Sequence, residues 1–430
     1  MTTSPVRPQQ RSVPSSRFPW AGLVALAVAT FLSITGEMLP TGLLPEMSGE
    51  LGVSESSIGL LVSVFAFTVV LTSTGLTHLT RRVPRHRLIV GLLLVLAVSA
   101  VASALAPTYA LLVVARIVGG LAHGVFWAVG GAYAARLVPR EQVGRALAVA
   151  MSGGTLAFVL GVPLSTAVGQ ALGWRAAFVL LAVLLLAGAA LVWRLLPDVG
   201  AAPAVEEEHP PLAELTETGA ARIVAADADT YRHRPRPSVA GVVVSCIVTA
   251  VFMIGHYSFY TYIAPFLTRQ SGVPEAGLSG ALFAFGIAGA VGLGLVGWFL
   301  GARPRVSVPI GMAVTAVAVA ALLLLEGQTV ASLVALVVWG VTFGALPPLL
   351  QTRMLQVAPD RIRDLASAFY TTGFNTGIGG GALVGALVLD GVGLAALPVL
   401  YVVVALVVLV VVVVTDRWLA VRSARTRPGA

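Results

Sequence analysis

The chain has 430 residues, of which 57% are hydrophobic and 11% charged, with a mean hydropathy of +0.92 and a net charge of +8. A soluble domain carries about 25% charged residues, so this composition excludes a water-soluble protein of this size and points to a chain whose solvent is mostly lipid. All 27 basic residues are Arg and they punctuate apolar runs instead of clustering on one polar segment, which argues against nucleic acid; the single Cys246 excludes an internal disulfide.

Residues 1–20 are polar and basic, with no short apolar core leading to a small-residue cleavage site, and read as a cytoplasmic tail. Runs long enough to cross about 30 Å of hydrocarbon at about 1.5 Å per residue then follow. In the first part of the chain they lie at 21–45, 57–80, 86–106, 109–135, 143–170 and 174–196. After an interruption come 238–267, 276–301, 305–325, 329–354, 362–389 and 393–415. The interruption, 197–237, is rich in Pro, Ala and Glu before turning basic at RHRPRPS, and reads as a solvated linker; 416–430 form a second basic tail. With the N-terminus placed inside, 24 Arg fall on cytoplasmic segments and two, Arg175 and Arg269, on outer loops, while Arg116 lies within a span. That asymmetry predicts a multi-pass protein of the inner (plasma) membrane with both termini cytoplasmic.

A shift of 220 residues brings the two halves into register without a gap. Pro45 meets Pro265, Gly52-Val53 meets Gly272-Val273, Phe65 meets Phe285, Pro84-Arg85 meets Pro304-Arg305, and Gly120 and Gly124 meet Gly340 and Gly344. Two six-span units in the same orientation, 21–196 and 238–415, imply a pseudo-twofold axis along the membrane normal, with substrate bound between them.

The only carboxylate well inside a span is Glu37, in SITGEMLPTGLLPEMS, after sixteen uncharged residues from Ala21 to Gly36. An ionised acid in hydrocarbon costs several kcal/mol on most scales, and burial favours its neutral form. Glu37 is thus suited to exchange a proton as its surroundings change; a packing or interface-seeking acid is the other reading. Glu326 and Asp390 fall at outer ends of spans. Arg116, in the fourth span, either holds helices through backbone carbonyls or supports proton transfer, and direct pairing with Glu37 is disfavoured by an apparent difference in depth. In the seventh span, GHYSFYTYIAPF sets His256, Tyr257 and Tyr260 in the outer half, either lining a cavity or forming an interfacial aromatic belt. Tyr257 occupies the repeat position of Glu37, and His256 that of Gly36. His123, Phe126 and Trp127 follow Arg116 as cavity or core residues, and Asn375 in TTGFNTGIGGG is a polar group for substrate or for another helix. GIGGG lacks the Lys and the strand-to-helix setting of a phosphate loop, and no metal-ligand cluster is present in the sequence.

The duplicated twelve-span layout resembles the major facilitator superfamily over almost the whole chain. VVARIVGGLAHG is similar to the fourth-span motif of proton-coupled antiporters, and SGGTLAFVLGVPLSTAVGQALGWRAAF to their fifth-span motif. Together with GEMLPTGLLPEMSGELGVS, these most resemble bacterial drug:proton antiporters of the arabinose-efflux and chloramphenicol-resistance type. The resemblance implies an all-α fold of two six-helix bundles, gating at Gly161 and Pro163, and a basic latch in the loop between the second and third spans. That loop reads GLTHLTRRVPRHR, with Arg81 where the family carries Asp, so Arg82 and Arg85 would need another counter-charge, such as Asp364. The expectation is a monomeric, proton-driven exporter of small amphipathic compounds, with Glu37 and Arg116 serving coupling, no cofactor beyond the proton gradient, and no enzymatic activity. A sugar or polar-metabolite exporter, or an importer with a structural Glu37, are the alternatives.

Overall fold

The computed structural model describes residues 18–139, 142–198 and 238–425, so most of the linker lies outside the described residues. Twelve helical segments in these residues are long and apolar enough to cross a membrane. The first six are Trp20–Gly42, Glu55–Arg82, Arg85–Leu105, Tyr109–Arg136, Val143–Leu172 and Trp174–Leu195. The second six are Val239–Tyr260, Glu275–Trp298, Pro304–Leu324, Thr329–Val357, Leu365–Gly391 and Ala396–Asp416. Helix is the expected answer in lipid, where every backbone polar group must be satisfied within its own segment.

The first and seventh spans are shorter than the apolar pattern suggests. The first α-helix stops at Met38, and a single 3₁₀ turn, Leu39–Gly42, leads into a separate short helix, Leu44–Leu51. Pro40 and Pro45 sit at the starts of these two segments, where a missing N–H costs least. The seventh span likewise ends at Tyr260 and continues as Ile263–Arg269. The repeat register overlays the two short helices, so the break is a property of the duplicated unit.

Within the first six spans, the first packs on the fifth and sixth, the third on the fourth and sixth, and the second on the fourth. The same pattern recurs in the second six, with the seventh span against the eleventh and twelfth and the tenth against the eighth and ninth. The two groups meet where the second span packs on the eleventh and the fifth on the eighth. Glycine permits the closest of these approaches: a Cβ on Gly286 would collide with the main chain of Phe158 and Val159.

That contact falls on an irregular piece of the fifth span. Ala157–Gly161 form one π-helical turn immediately before Pro163. A proline ring crowds the carbonyl four residues earlier and offers no N–H, and a π-bulge is a common way for a helix to absorb such a defect. Gly161 lies against Thr35 of the first span, with no room for a Cβ.

The face opposite the arginine-rich one is sealed between the two groups. Arg269 pairs with Glu55, its Nη1 lying 3.1 Å from Oε2. Gln170 Nε2 donates to the Glu275 carbonyl at 2.9 Å. Beneath them the Tyr262 ring fills the notch left by Gly59 and donates its hydroxyl to the Ala382 carbonyl at 2.9 Å. Glu55 and Glu275 are repeat partners, so both halves use the same position to grip the other. In a Cys246→Ser background with a protease site inserted in 199–237, Glu55→Cys/Arg269→Cys should be joined by a short bifunctional thiol reagent. The check is a single gel band after cleavage; separate halves would show that this face is not closed in the membrane.

Candidate functional site

The site begins with the end of the first helix. In an α-helix the carbonyl of Gly36 accepts from the N–H four residues on, and that residue is Pro40, which has none. The Arg116 guanidinium supplies what is missing: Nη1 donates to the Gly36 carbonyl and Nη2 to the Glu37 carbonyl, both at 2.6 Å. The Thr41 hydroxyl donates to the Met38 carbonyl at 2.6 Å and completes the cap. Arg116 also lies over the Phe65 ring, 4.3 Å from its centre. A planar, forked cation is suited to bridging two adjacent carbonyls, as a Lys is not.

Arg116 and Glu37 do meet, but through the Glu37 main chain and not through an ion pair of their side chains, because the long guanidinium fork reaches the helix end. The guanidinium binds the main chain of Glu37 and leaves its carboxyl free for another group. That group is His123, whose Nε2 lies 3.4 Å from Glu37 Oε2 and whose Nδ1 lies 2.8 Å from the Ser33 hydroxyl. Glu37 is 4% exposed, His123 1% and Ser33 1%. Glu37 Oε1 has no hydrogen-bond partner, a costly arrangement for an ionised carboxylate away from water. Phe65 and Trp127 flank the imidazole, at 5.2 and 6.2 Å between ring centres.

Across the interface, Tyr257 of the seventh span lies within electrostatic reach of Glu37. Its ring contacts Phe343 at 6.4 Å and Phe374 at 6.5 Å. His256 is enclosed by aromatic rings: it stacks on Phe343 at 3.5 Å, faces Tyr260, Trp339 and Tyr257, and places Nδ1 3.3 Å from the Tyr401 hydroxyl. Tyr260 is buried in the same cluster. Phe126 is buried in the core, and Trp127 is half-buried beside His123. Asn375 donates to the Thr371 carbonyl of its own helix at 3.0 Å. Arg82 is exposed and Arg85 half-buried, its Nη1 without a hydrogen-bond partner; the side chain of Asp364 lies outside the described residues. Among the described residues, no group of His, Cys, Asp and Glu could hold a metal ion.

The structure thus brings Glu37, Arg116 and His123 together and sets Tyr257 opposite them. Residue types alone missed Ser33, Phe65 and Phe343, although the repeat carried a signal. His123 and Phe343 are repeat partners, as are Phe65 and Phe285. The pair Phe65 and His123 recurs as Phe285 and Phe343, at 5.2 and 6.3 Å. Ser33 sits one turn before Glu37, on the same helix face.

Two six-span helical units, with Glu37 the one buried acid among the described residues, define the architecture of a membrane transporter. The chain belongs to the Major Facilitator Superfamily: the family model matches residues 26–362 and 246–428. It is 34% identical over 384 residues to a chloramphenicol efflux pump of Mycobacterium tuberculosis, covering 86% of this chain and 88% of the relative. It is 30% identical over 380 residues to a probable sugar efflux transporter of Mannheimia succiniciproducens, covering 88% and 90%. Among solved structures, a peptide transporter superposes with a TM-score of 0.71 at 13% identity, covering 95% and 96%, which bears on the fold alone.

The Pro40–Arg116 arrangement is testable by a double-mutant cycle. Hydrogen bonds from a charged donor contribute about 1.5–3 kcal/mol each, so Arg116→Lys should cost about that much and Arg116→Met roughly twice as much. Pro40→Ala returns an N–H to Gly36 and should recover about 1 kcal/mol or more of the Arg116→Met loss. Thermal unfolding in detergent micelles measures all four proteins; strict additivity would contradict the capping role.

Proposed function

We propose that this transporter is a proton-coupled exporter of small amphipathic compounds, antibiotics among them, working by alternating access in the inner membrane with both termini cytoplasmic. The observation that carries the reading is Glu37, a carboxyl 4% exposed with one oxygen unpartnered, held near the interface of the two halves. Such a group favours a proton when enclosed and loses it when water or a cation reaches it. Protonation from outside would favour the inward-open state. Substrate arriving from the cytoplasm would favour proton release and return of the cavity to the outside.

Arg116 contributes by keeping the helix end rigid, so that the carboxyl is presented at a fixed place. Tyr257 and Phe374 supply apolar area with a phenol, a surface suited to compounds of mixed polarity, and Gly161 and Pro163 give the fifth span a deformable segment beside Thr35. The chloramphenicol efflux relative supports this class of cargo. A second reading is favoured by the sugar efflux relatives, of which Mannheimia succiniciproducens carries one: the same coupling with a sugar as cargo. The aromatic surroundings of Tyr257, and an Asn375 amide that already donates within its own helix, favour the first.

In inverted vesicles with an imposed pH gradient, adding chloramphenicol should dissipate the gradient, and Glu37→Gln should reduce that dissipation at least about 100-fold with expression unchanged. A panel of monosaccharides in the same assay separates the two readings. Transport against a gradient by Glu37→Gln at the wild-type rate would remove Glu37 from the coupling.

A further inference from the structure

Three polar side chains meet at one point in the first half: Ser33, His123 and Glu37. Their repeat partners are Met253, Phe343 and Tyr257, with no acid, no imidazole and no serine among them, and the Tyr257 and Phe343 rings meet in the second half. The duplicated scaffold alone therefore does not require this triad for packing. His123 is buried, carries neighbours on both ring nitrogens, and accounts for neither the helix cap nor the contact between the halves. It is a group with chemistry left over.

We infer that His123 is the positioning partner of Glu37, a neutral imidazole whose tautomer switches as Glu37 gains and loses its proton, and that Ser33 reverses its hydrogen bond to follow. The inference rests on the reading of Glu37 as the exchanging carboxyl. When Glu37 is ionised, Nε2 must offer it a proton; Nδ1 is then bare and accepts from the Ser33 hydroxyl. When Glu37 is protonated, its own O–H donates to a bare Nε2; Nδ1 then carries the hydrogen and donates to Ser33. Both states satisfy both nitrogens, and neither places a positive charge on the ring.

The two arrangements also describe a balanced transfer. A proton passes from the Glu37 carboxyl to Nε2 while the Nδ1 proton passes to the Ser33 oxygen. Ser33 gives its original hydroxyl proton to a water, so one O–H breaks and one N–H forms at one side of the ring, and the reverse occurs at the other. The imidazole is neutral before and after, and the starting tautomer returns when the same transfers run in reverse: Ser33 takes a proton from water and passes its own to Nδ1, while Nε2 returns its proton to Glu37. Ser33 lies one helical turn, about 6 Å, nearer the arginine-rich face than Glu37, so the proton is exchanged with water on that side of the carboxyl.

Arg116 and His123 both pack on Phe65 and both reach Glu37, so a charged ring would stand beside the guanidinium. Phe65 of the second span and Trp127 of the fourth pack on the imidazole. No further charged side chain in the described residues lies within ion-pair distance of Glu37.

The test needs no substrate. Full-length protein with ¹⁵N-labelled histidine, in liposomes, is followed by solid-state NMR across about pH 5 to 9, and His123→Gln identifies the resonances. Infrared absorption of the carboxyl C=O, identified by its loss in Glu37→Gln, reports the protonation of Glu37 in parallel. The expected result is that His123 carries its proton on Nε2 where Glu37 is ionised and on Nδ1 where it is protonated, with one fixed tautomer in Glu37→Gln. Ser33→Ala should give a mixture of tautomers, and Ser33→Thr should restore the switch, which a merely structural role of Ser33 would not require. A Glu37 that titrates beside a His123 of constant tautomer, or beside an imidazolium, overturns this inference alone. A Glu37 that does not change protonation over this range overturns the coupling reading and this inference with it.

Discussion

The arrangement depends on a carbonyl that its own helix cannot satisfy. Pro40 deprives Gly36 of its partner inside a membrane span, where no water is at hand to replace it. Arg116 answers from the fourth span, and in doing so fixes the end of the first helix, the place of Glu37 and the spacing of two helices. The second half has Tyr260 where the first has Pro40, and Leu336 where the first has Arg116. The defect and its remedy occur together in one half and are absent together from the other, as expected if each is present because of the other.

Because the guanidinium is committed to backbone oxygens, the Glu37 side chain is left with an imidazole partner instead of an arginine. A carboxylate locked onto an arginine would hold its charge and serve poorly as a group that changes charge. Glu37 instead lies beside an imidazole with one carboxyl oxygen unpartnered. The same asymmetry gives the two halves different characters: hydroxyl, imidazole and carboxyl in the first, stacked rings around His256 in the second.

Much of the fold was legible because lipid leaves few choices. Twelve apolar runs, the arginine distribution and the constant repeat register all follow from the need to bury backbone in helices and to duplicate one unit. The helix breaks at Met38 and Tyr260 were not drawn from hydropathy, since LPTGLLPEM is as apolar as the span it follows; only the positions of Pro40 and Pro45 mark the change. Glu37 and Arg116 stood out as charges in hydrocarbon. Their relation did not, because depth counted along two helices ignores a side chain long enough to reach from one level to another.

Sequence by itself determined that the chain is a membrane-embedded helical duplication with one interior acid, since composition, period and charge are additive along a chain. Tertiary structure decided who meets that acid. Ser33, Phe65, Arg116, His123 and Tyr257 come from four spans, and their convergence depends on helix rotation and on the close approaches that glycines such as Gly161 allow. Those are properties of packed surfaces, which no single run of residues contains. The acid at position 37 could be found by reading; its imidazole partner and its capped helix end had to be seen.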